Sequence, residues 1–360
     1  MKRLYNMGFA GLISMIFLSG VYAQDNKATK NYHQEYPAGK NTQLVIDNKY
    51  GAIDVKNWNQ DKITIDVVIT IENTNPEKAK KLLEYLNVNF SQQGDKIEAV
   101  TSIDDKFNSG GSWFHFGSEG REFSINYTVN LPSWLDVNIS NKYGDIFINE
   151  LTGPTHIFLK YGNMKANKIL RGNEDPMATI TMGYANATIE ECNWLKLDLK
   201  YSKFNAETGK AYVIVSKYSK LYLGECSSVV SDSKYDDYRV GRLTNFVVTA
   251  AYSGFKMKEL DRKLDASLKY SGLSIDNVPA TFESIKIENG YGGISIGIVP
   301  NASYIIDGEA HYAKISVPDG KYDRVEENTS STIKGLVGKD EKTKSRVNIE
   351  TSYGGVKLTD

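Results

Sequence analysis

The chain has 360 residues, a formal net charge of −1 and 24% charged residues. Such an even balance of acidic and basic residues excludes a general attraction to nucleic acid. The length would ordinarily indicate two domains, but a repeat array escapes that rule because it grows along one axis without enlarging a single core.

The N-terminus has the pattern of an export signal. Two basic residues precede an apolar run from Met7 to Leu18, and small residues precede a predicted cleavage after Ala23. The pattern predicts a signal peptide over residues 1–23 and a linker over residues 24–43. The apolar run is too short for a membrane span, and no cysteine follows it for acylation. We therefore expect an exported chain without a membrane span, located in the periplasm, secreted or at the cell surface.

Residues 44–130 predict a first coil followed by a small α+β cap. "KITIDVVITI" and "REFSINYTVNLP" read as strands, and "VNFSQQGDKIEAV" reads as a hairpin around Gly94. "NPEKAKKLLEYL" predicts a short helix with Asn75 as its N-cap and Pro76 at its first position. Such a segment would cover one end of a strand stack, whose backbone would otherwise be unpaired.

A loop rich in glycine and serine interrupts this cap. Residues 104–120 read "DDKFNSGGSWFHFGSEG", and Trp113, Phe114 and Phe116 are candidate binding residues. Clustered aromatic side chains on an irregular loop can form a recognition surface. The alternative is that these rings fold back onto the nearest core.

A tyrosine motif recurs through residues 131–360. The tyrosine is followed by Gly, Ala, Ser or Asp, and a first copy lies earlier, at Tyr50. Most spacings between consecutive copies are 17 to 23 residues, and the last gap, of 41, leaves room for a degenerate copy around residues 331–338. The other eleven copies are centred on Tyr143, Tyr161, Tyr184, Tyr201, Tyr218, Tyr235, Tyr252, Tyr270, Tyr291, Tyr312 and Tyr353.

In the typical copy, such as that of Tyr270, apolar residues lie four and two positions before the tyrosine and three and five positions after it. This alternation predicts two short strands joined by a bend, with the phase change beside the tyrosine. A unit this small cannot bury its apolar face alone, so the copies should stack. We predict an all-β fold, a single-stranded right-handed β-solenoid (β-helix) with 17 to 21 residues per coil, roughly 55 to 60 Å long at ~4.8 Å per coil.

The tyrosines themselves are predicted to form a structural ladder. Their even spacing from the preceding apolar positions places them inside the core, at a corner where a small following residue would admit the ring. The alternative is an exposed ladder that resembles a sugar-binding platform.

A lysine precedes the tyrosine in seven copies. Alternation directs these side chains outward, so stacking should align them along one flank as a candidate site for an anionic polymer. The alternative is a solvated face whose charge is compensated by neighbouring Glu and Asp residues. The candidate binding lysines are Lys142, Lys160, Lys200, Lys217, Lys234 and Lys269, and Lys49 occupies the same position in the first copy.

The sequence contains no recognisable catalytic or metal-binding motif. Its four histidines lack metal-ligand spacing, and the carboxylates Asp236 and Asp237 are better suited to a bend than to acid–base chemistry. We therefore expect no enzymatic activity, no metal and no cofactor.

Two cysteines provide a check on the register. Cys192 and Cys226 both lie eight residues after a tyrosine, in copies separated by one coil, so their Cα atoms should stand roughly 9 to 10 Å apart. A disulfide spans about 7 Å at most. Both thiols are therefore predicted to be buried and unpaired.

At the far end no cap is predicted after "YGGVKL", so the last coil should fray, dimerise or be covered by a partner.

Residues 127–153, "YTVNLPSWLDVNISNKYGDIFINELTG", have a recognisable pattern. The Leu-Pro strand end, the glycine-containing bend, Ile-x-Ile and the closing Leu-x-Gly resemble the bacterial putative-adhesin family of exported β-strand-repeat proteins, a domain family of unknown function. The resemblance extends from about Leu44 to the C-terminus. It implies a β-strand-repeat fold and provides no catalytic residues to carry over.

Three functions remain open at the level of sequence. The first is a non-enzymatic, adhesin-like protein whose flank binds an envelope partner such as an anionic polysaccharide, lipopolysaccharide or a protein. The second is a polysaccharide lyase or glycosidase on a β-helix, which would need a cluster of carboxylates in one cleft. The third is a structural or stress-linked periplasmic protein without a ligand.

Overall fold

The computed structural model describes residues 19–24, 27–108 and 121–360, and its fold is all-β. In these residues 27 strands form one hydrogen-bonded sheet, accompanied by two short helices. None of the helices described is long and apolar enough to cross a membrane. Most of the predicted signal peptide lies outside the described residues, as do Trp113, Phe114 and Phe116.

The N-terminal part combines strands with two helices; the sequence predicts the first helix, whereas the second lies at the start of the segment interpreted as a loop. The elements are β1 (Ser19–Gln24), β2 (Lys27–Pro37), β3 (Gln43–Lys49), β4 (Ile53–Asn57), β5 (Lys62–Asn73), α1 (Pro76–Leu83), β6 (Leu86–Gln93), β7 (Lys96–Ile103), α2 (Asp105–Asn108) and β8 (Arg121–Leu131). The Asn75 side chain accepts a hydrogen bond from the Lys78 backbone N–H, and Pro76 begins α1, which confirms the predicted cap. The β6–β7 hairpin turns at Gly94, whose φ is 58°.

The predicted linker over residues 24–43 is wrong for most of its length. β2 pairs antiparallel with β5 over eleven residues, and β5 pairs with β8 on its other side. Ala28, Gln34 and Tyr36 of β2 are buried, so the strand has an inner face that its polar composition conceals.

Thirteen strands form the central stack. They are β9 (Asp136–Lys142), β10 (Ile146–Leu151), β11 (Thr155–Lys160), β12 (Asn163–Ile169), β13 (Ala178–Gly183), β14 (Asn186–Lys200), β15 (Lys203–Lys217), β16 (Lys220–Lys234), β17 (Asp237–Ala251), β18 (Gly254–Lys269), β19 (Gly272–Val278), β20 (Ser284–Gly290) and β21 (Ile294–Ile298). Each repeat pairs in parallel with the next at equivalent positions; Lys200 pairs with Lys217, and Lys217 with Lys234.

Alternate side chains of these strands fill one continuous core. Aliphatic residues dominate it, and Phe204, Tyr212, Tyr238 and Phe246 are the largest buried side chains of the middle coils. The first coil, β3 and β4, pairs with β9 and β10 on one side and with β7 and β8 on the other. The antiparallel N-terminal strands therefore lie at one end of the stack, where they pair backbone groups that would otherwise be open.

The C-terminal strands depart from sequence order. They are β22 (Tyr304–His311), β23 (Ile315–Ser316), β24 (Gly320–Glu326), β25 (Ser330–Val337), β26 (Arg346–Ser352) and β27 (Val356–Thr359). β26 lies between β20 and β22 and pairs in parallel with both, and β27 lies between β21 and β23. The last copy of the motif is thus inserted between the two preceding copies, and the prediction that the last coil stands open at the end is wrong.

The other end of the stack carries an antiparallel hairpin. β25 pairs antiparallel with β22 and with β24. Residues 331–338, where a degenerate coil was expected, therefore belong to this hairpin. The physical reason is the same as at the N-terminal end, because an antiparallel strand uses the open edge of the outermost parallel strand.

Candidate functional site

The repeated tyrosines define one corner of the stack. All twelve adopt left-handed backbone conformations, with φ between 49° and 67°. The backbone N–H of eleven of them donates to the carbonyl that precedes the corner of the neighbouring coil, as from Tyr201 to Lys217 and from Tyr218 to Lys234, both at 3.0 Å, whereas that of Tyr312 donates to the Thr329 carbonyl. The corner residue is thus the tyrosine itself, whereas the sequence pointed to the small residue after it.

A side chain at positive φ is strained. For a residue with a Cβ the left-handed conformation costs about 1–2 kcal/mol, and a bulky side chain there is an outlier. Stacking between neighbouring aromatic rings returns about 0.5–1.5 kcal/mol per pair. Successive rings lie with centroids 4.7 to 5.2 Å apart and planes within 16° of parallel, so stacking offsets much of the strain.

The rings lie outside the core, and the predicted inward orientation is wrong. Eleven of the tyrosines are 40% to 61% exposed, and Tyr50 is partly covered by Phe123. The positive φ explains the difference, because one left-handed residue turns its Cβ away from the side that strict alternation assigns to it. We call these twelve stacked rings the tyrosine column.

The tyrosine column presents ring edges and hydroxyl groups to solvent. Within the column each ring face is covered by the next ring, so the column does not present the row of flat faces that a sugar-binding platform needs. Within the described part of the chain, none of the twelve hydroxyls has a protein hydrogen-bond partner. The result is a row of free phenol groups at the strand spacing of ~4.8 Å, roughly 50 Å long.

The seven lysines before the tyrosines lie in register beside this column. In stack order the positions are Lys49, Lys142, Lys160, Gly183, Lys200, Lys217, Lys234, Ala251, Lys269, Gly290, Ser352 and His311. We call the seven lysines the lysine column. The structure thus brings together all six candidate lysines from the sequence.

The lysine column is poorly compensated by acidic groups. Among the described residues, only Lys200 of the seven has a carboxylate within ion-pair distance, that of Asp198 at 3.9 Å. Lys49, Lys160 and Lys269 instead place their ammonium groups 4.9 to 6.0 Å from the centroids of the tyrosine rings that follow them. The ammonium groups therefore remain available to an anion.

Buried hydroxyl groups hold the inside of the corner in the middle coils. Ser219 donates to the Lys217 carbonyl at 2.9 Å and accepts from the Ser202 backbone N–H at 3.3 Å. Equivalent bonds are made by Ser202, Ser253 and Ser271. Sequence reasoning missed this hydroxyl ladder, although the recurrence of serine directly after the tyrosine is a signal for it.

One coil has an aspartate at this position. Asp236 is 5% exposed, accepts from the Ser219 backbone N–H at 2.7 Å and from the Ser216 hydroxyl at 2.6 Å. Burial raises the pKa of Asp236, and these hydrogen bonds oppose the shift only in part. Asp236 is therefore not presented to a ligand in solvent.

Two shallow grooves flank the corner in the later coils. One, of about 580 Å³, lies along the positions two and four residues after the tyrosines, and is lined by Gly254, Gly272, Gly293, Gly355 and three lysines. The other, of about 470 Å³, follows the gap in the lysine column at Ala251, Gly290 and Ser352.

The cysteines lie where the register places them. Cys192 and Cys226 pair with Gly209 from the two strands on either side of it, are buried, and are both free thiols. The Tyr212 hydroxyl lies 3.0 Å from the Cys192 sulfur. Burial raises the pKa of Cys192 to about 11 and that of Cys226 to about 12, so neither thiol is a nucleophile at neutral pH. In the described residues no cluster of His, Cys, Asp and Glu could hold a metal ion.

No family model matches the chain, and no curated protein matches its sequence. Solved structures with some likeness include a putative cell adhesion protein from Clostridium sporogenes, 11% identical with a TM-score of 0.18, for which the match covers 92% of this chain and 99% of that one. A putative adhesin from Parabacteroides merdae is 9% identical, with a TM-score of 0.28 and coverages of 92% and 96%.

A further likeness is to a putative lipid binding protein from Parabacteroides distasonis, 9% identical with a TM-score of 0.29 and coverages of 92% and 97%. Identities and TM-scores this low establish neither a family nor a function for this chain.

Proposed function

We propose that this chain is an exported, non-enzymatic, adhesin-like β-solenoid protein that binds an anionic envelope polymer, an acidic polysaccharide or lipopolysaccharide, along the flank formed by the tyrosine and lysine columns. The observation that carries the proposal is the alignment of seven lysines, six of them without an ion-pair partner among the described residues, beside a continuous row of exposed tyrosines.

The aligned ammonium groups of the lysine column repel one another. Two ammonium groups about 4 Å apart repel by about 1 kcal/mol in water, and salt or flexible side chains reduce this cost. Acidic neighbours would remove it, as Glu288 does for Lys286 at 2.7 Å, but among the described residues only Lys200 of the lysine column has one, Asp198 at 3.9 Å. A polyanion laid along the column would neutralise several lysines at once.

The tyrosines contribute a rigid neighbour to the lysines. Glycine would occupy the left-handed corner without strain, yet every copy has tyrosine there. Backbone strain that recurs at one surface feature is a reason to look for function there. The free hydroxyls can donate to or accept from the hydroxyls and anionic groups of a glycan, and the stacked rings lose little side-chain entropy on binding.

The alternative of a carbohydrate-active enzyme would place its acid and base on three stacked glutamates of the later coils. Glu288 pairs with Glu350, and Glu350 with Glu309. All three are exposed, and Glu288 and Glu309 are engaged by Lys286 and His311. An acid–base pair needs environments that separate the two pKa values, so these glutamates favour the binding proposal over catalysis.

The test is binding of the mature chain to immobilised acidic glycans and lipopolysaccharide. The variant K200E/K217E/K234E should bind at least tenfold more weakly, and raising the salt concentration should weaken the wild type more than the variant. The matched control K165E/K210E/K258E has the same net charge and alters exposed lysines away from the lysine column.

The outcomes distinguish binding by the lysine column from binding driven by net charge alone. Equal losses in the two triple variants would mean that net charge alone drives binding. Absence of wild-type binding to every acidic glycan and to lipopolysaccharide would reject the proposal. Y201F/Y218F keeps the stacked rings and removes two hydroxyls, so a further loss of affinity in this variant would assign the hydroxyls a part in binding.

A further inference from the structure

A row of glycines follows the tyrosine column in the later coils. Gly254 pairs with Gly272, and backbone hydrogen bonds from the next residues place Gly293 beside Gly272 and Gly355 beside Gly293. Each glycine lies two residues after a tyrosine. We call these four residues the glycine column.

The fold itself does not require glycine at these positions. None of the four has a positive φ. A Cβ at Gly293 would meet no atom within 4 Å, and the nearest contacts at the other three would be ordinary ones, at 3.7 to 3.8 Å. Other coils have side chains at the equivalent position, namely Ala52, Asp145, Asn163, Asn186, Lys203, Lys220, Asp237 and Lys314.

Four glycines on neighbouring strands lower the stability of those strands, although neither backbone conformation nor packing requires them there. Glycine weakens a strand because it loses more backbone freedom on folding and packs no side chain. Where neither backbone conformation nor close packing explains such a glycine, the remaining reason is the close approach of a ligand. The glycine column forms the floor of the groove of about 580 Å³.

The sides of the groove are basic and hydroxylated. In stack order, Lys256, Ser274, Ser295 and Lys357 lie four residues after their tyrosines, so the two lysines stand roughly 14 Å apart along the stack at ~4.8 Å per strand. Lys314 occupies the position after Gly355 at one end.

These three lysines have no ion-pair partner among the described residues. The one acidic residue of the lining, Asp237, lies at the opposite end and is 3.9 Å from Arg239. The groove therefore offers three free ammonium groups to an anion.

We propose that this groove binds a short linear segment of an acidic oligosaccharide. Sugar rings would lie flat on the glycine column, where peptide planes and Cα–H groups provide a surface free of side chains. The serine hydroxyls would meet sugar hydroxyls, and the lysines would meet carboxylates. Charge complementarity selects an anionic ligand, and the bare floor selects a flat one.

The inference deepens the proposed function, on which it rests for the ligand class, but it uses none of the residues of the lysine column. The two sites can therefore fail separately. K200E/K217E/K234E alters the lysine column and leaves the groove intact, whereas changes at the glycine column leave the lysine column intact.

The experiment measures binding of oligogalacturonates of about five residues to the mature chain by calorimetry. G272V/G293V should bind at least tenfold more weakly, with a Tm equal to or above that of the wild type because valine favours a strand and its Cβ has only ordinary contacts or none at these positions. The matched control N186V places valine at the equivalent position, two residues after Tyr184, in a coil that does not line the groove, and should bind like the wild type.

Two further arms complete the test. K256Q/K357Q should also bind at least tenfold more weakly, and a neutral maltooligosaccharide should not bind the wild type. Wild-type affinity in G272V/G293V would overturn the proposal, as would absence of oligogalacturonate binding. Equal binding of polyphosphate by the wild type and by G272V/G293V, together with unchanged saccharide binding, would also overturn it, since charge alone would then suffice.

Discussion

The corner at the tyrosine is closed in two different ways in two regions of the stack. In the middle coils a serine follows the tyrosine, and its hydroxyl bridges two backbone groups, as Ser219 bridges Lys217 and Ser202. Towards the ends a glycine follows the tyrosine, with no space for a side chain. A Cβ on Gly144 would overlap the carbonyl of Gly51, and one on Gly292 that of Ser271.

In most glycine corners a side chain two residues before the tyrosine replaces the serine hydroxyl. Asn141 donates to the carbonyls of Gly51 and Asp145, at 2.9 and 3.1 Å, and Asn289 donates to that of Gly292 at 2.7 Å. One strained tyrosine corner is therefore compatible with two hydrogen-bond solutions. The tyrosine column is common to the serine and glycine corners. The residues behind it vary according to how closely neighbouring coils approach.

The largest effect is expected where the glycine corner leaves no space. G144A should lower the free energy of unfolding by about 2–3 kcal/mol, because the methyl group forces two coils apart. Urea unfolding measures this, with G293A as the control, since a Cβ there meets nothing within 4 Å. A loss in G144A as small as that in G293A would contradict the steric distinction between the corners.

The second effect tests the feature that both corners share. Y218A should destabilise by about 1–3 kcal/mol, since it removes stacking on Tyr201 and Tyr235, whose centroids lie 4.9 and 4.8 Å away. Y218G loses the same stacking and relieves the left-handed strain, so it should be about 1 kcal/mol more stable than Y218A. Equal stabilities of the two variants, measured by thermal unfolding, would show that the corner stores no strain.

The third effect is specific to the serine corner. S219A leaves the Ser202 N–H and the Lys217 carbonyl without their bridge and should cost about 1–2 kcal/mol in urea unfolding. S227A, at an exposed position in the same coil, is the control and should change stability little. If both variants behave alike, the buried hydroxyl ladder does not support the corner.

The smallest effect concerns Asp236, the acidic variant of the serine corner. Its pKa is raised in the folded chain, above the ordinary value of 3.8, so the folded state favours the protonated form. That contribution to stability is present below about pH 4 and is lost as the pH rises through the raised pKa. The wild type should therefore lose stability relative to D236S between pH 4 and pH 7, as measured by urea midpoints. Parallel pH profiles of the two proteins would contradict this assignment, and D237S serves as the control beside it.

Much of the fold could be predicted from the sequence because its signals are local. The period of the motif predicts the parallel register, which the pairing of Lys200 with Lys217 confirms. Asn75 and Pro76 predict the start of α1 in the same way. The alignment of the candidate lysines follows directly from the register.

The direction of the tyrosines could not be predicted from alternation. A strand pattern assumes that every residue is extended, and a single left-handed residue reverses the side on which its Cβ lies. Alternation alone assigns the small residue after the tyrosine to making space for the ring, whereas in the folded chain the serine hydroxyl occupies the inside of the corner. The glycine column is visible in the sequence, but its meaning depends on the free space above it.

The sequence by itself determined the strands of the central stack, their period and the residues that share a column, because these depend on side-chain alternation along the chain. The tertiary structure alone decided the stack order at the C-terminus. Tyr312 and Tyr353 carry the same motif, so either copy could pair with the Tyr291 copy. The folded chain places Tyr353 there, stacked between Tyr291 and Tyr312, because β26 gains backbone partners on both edges and leaves the outer edge of β22 to the antiparallel hairpin.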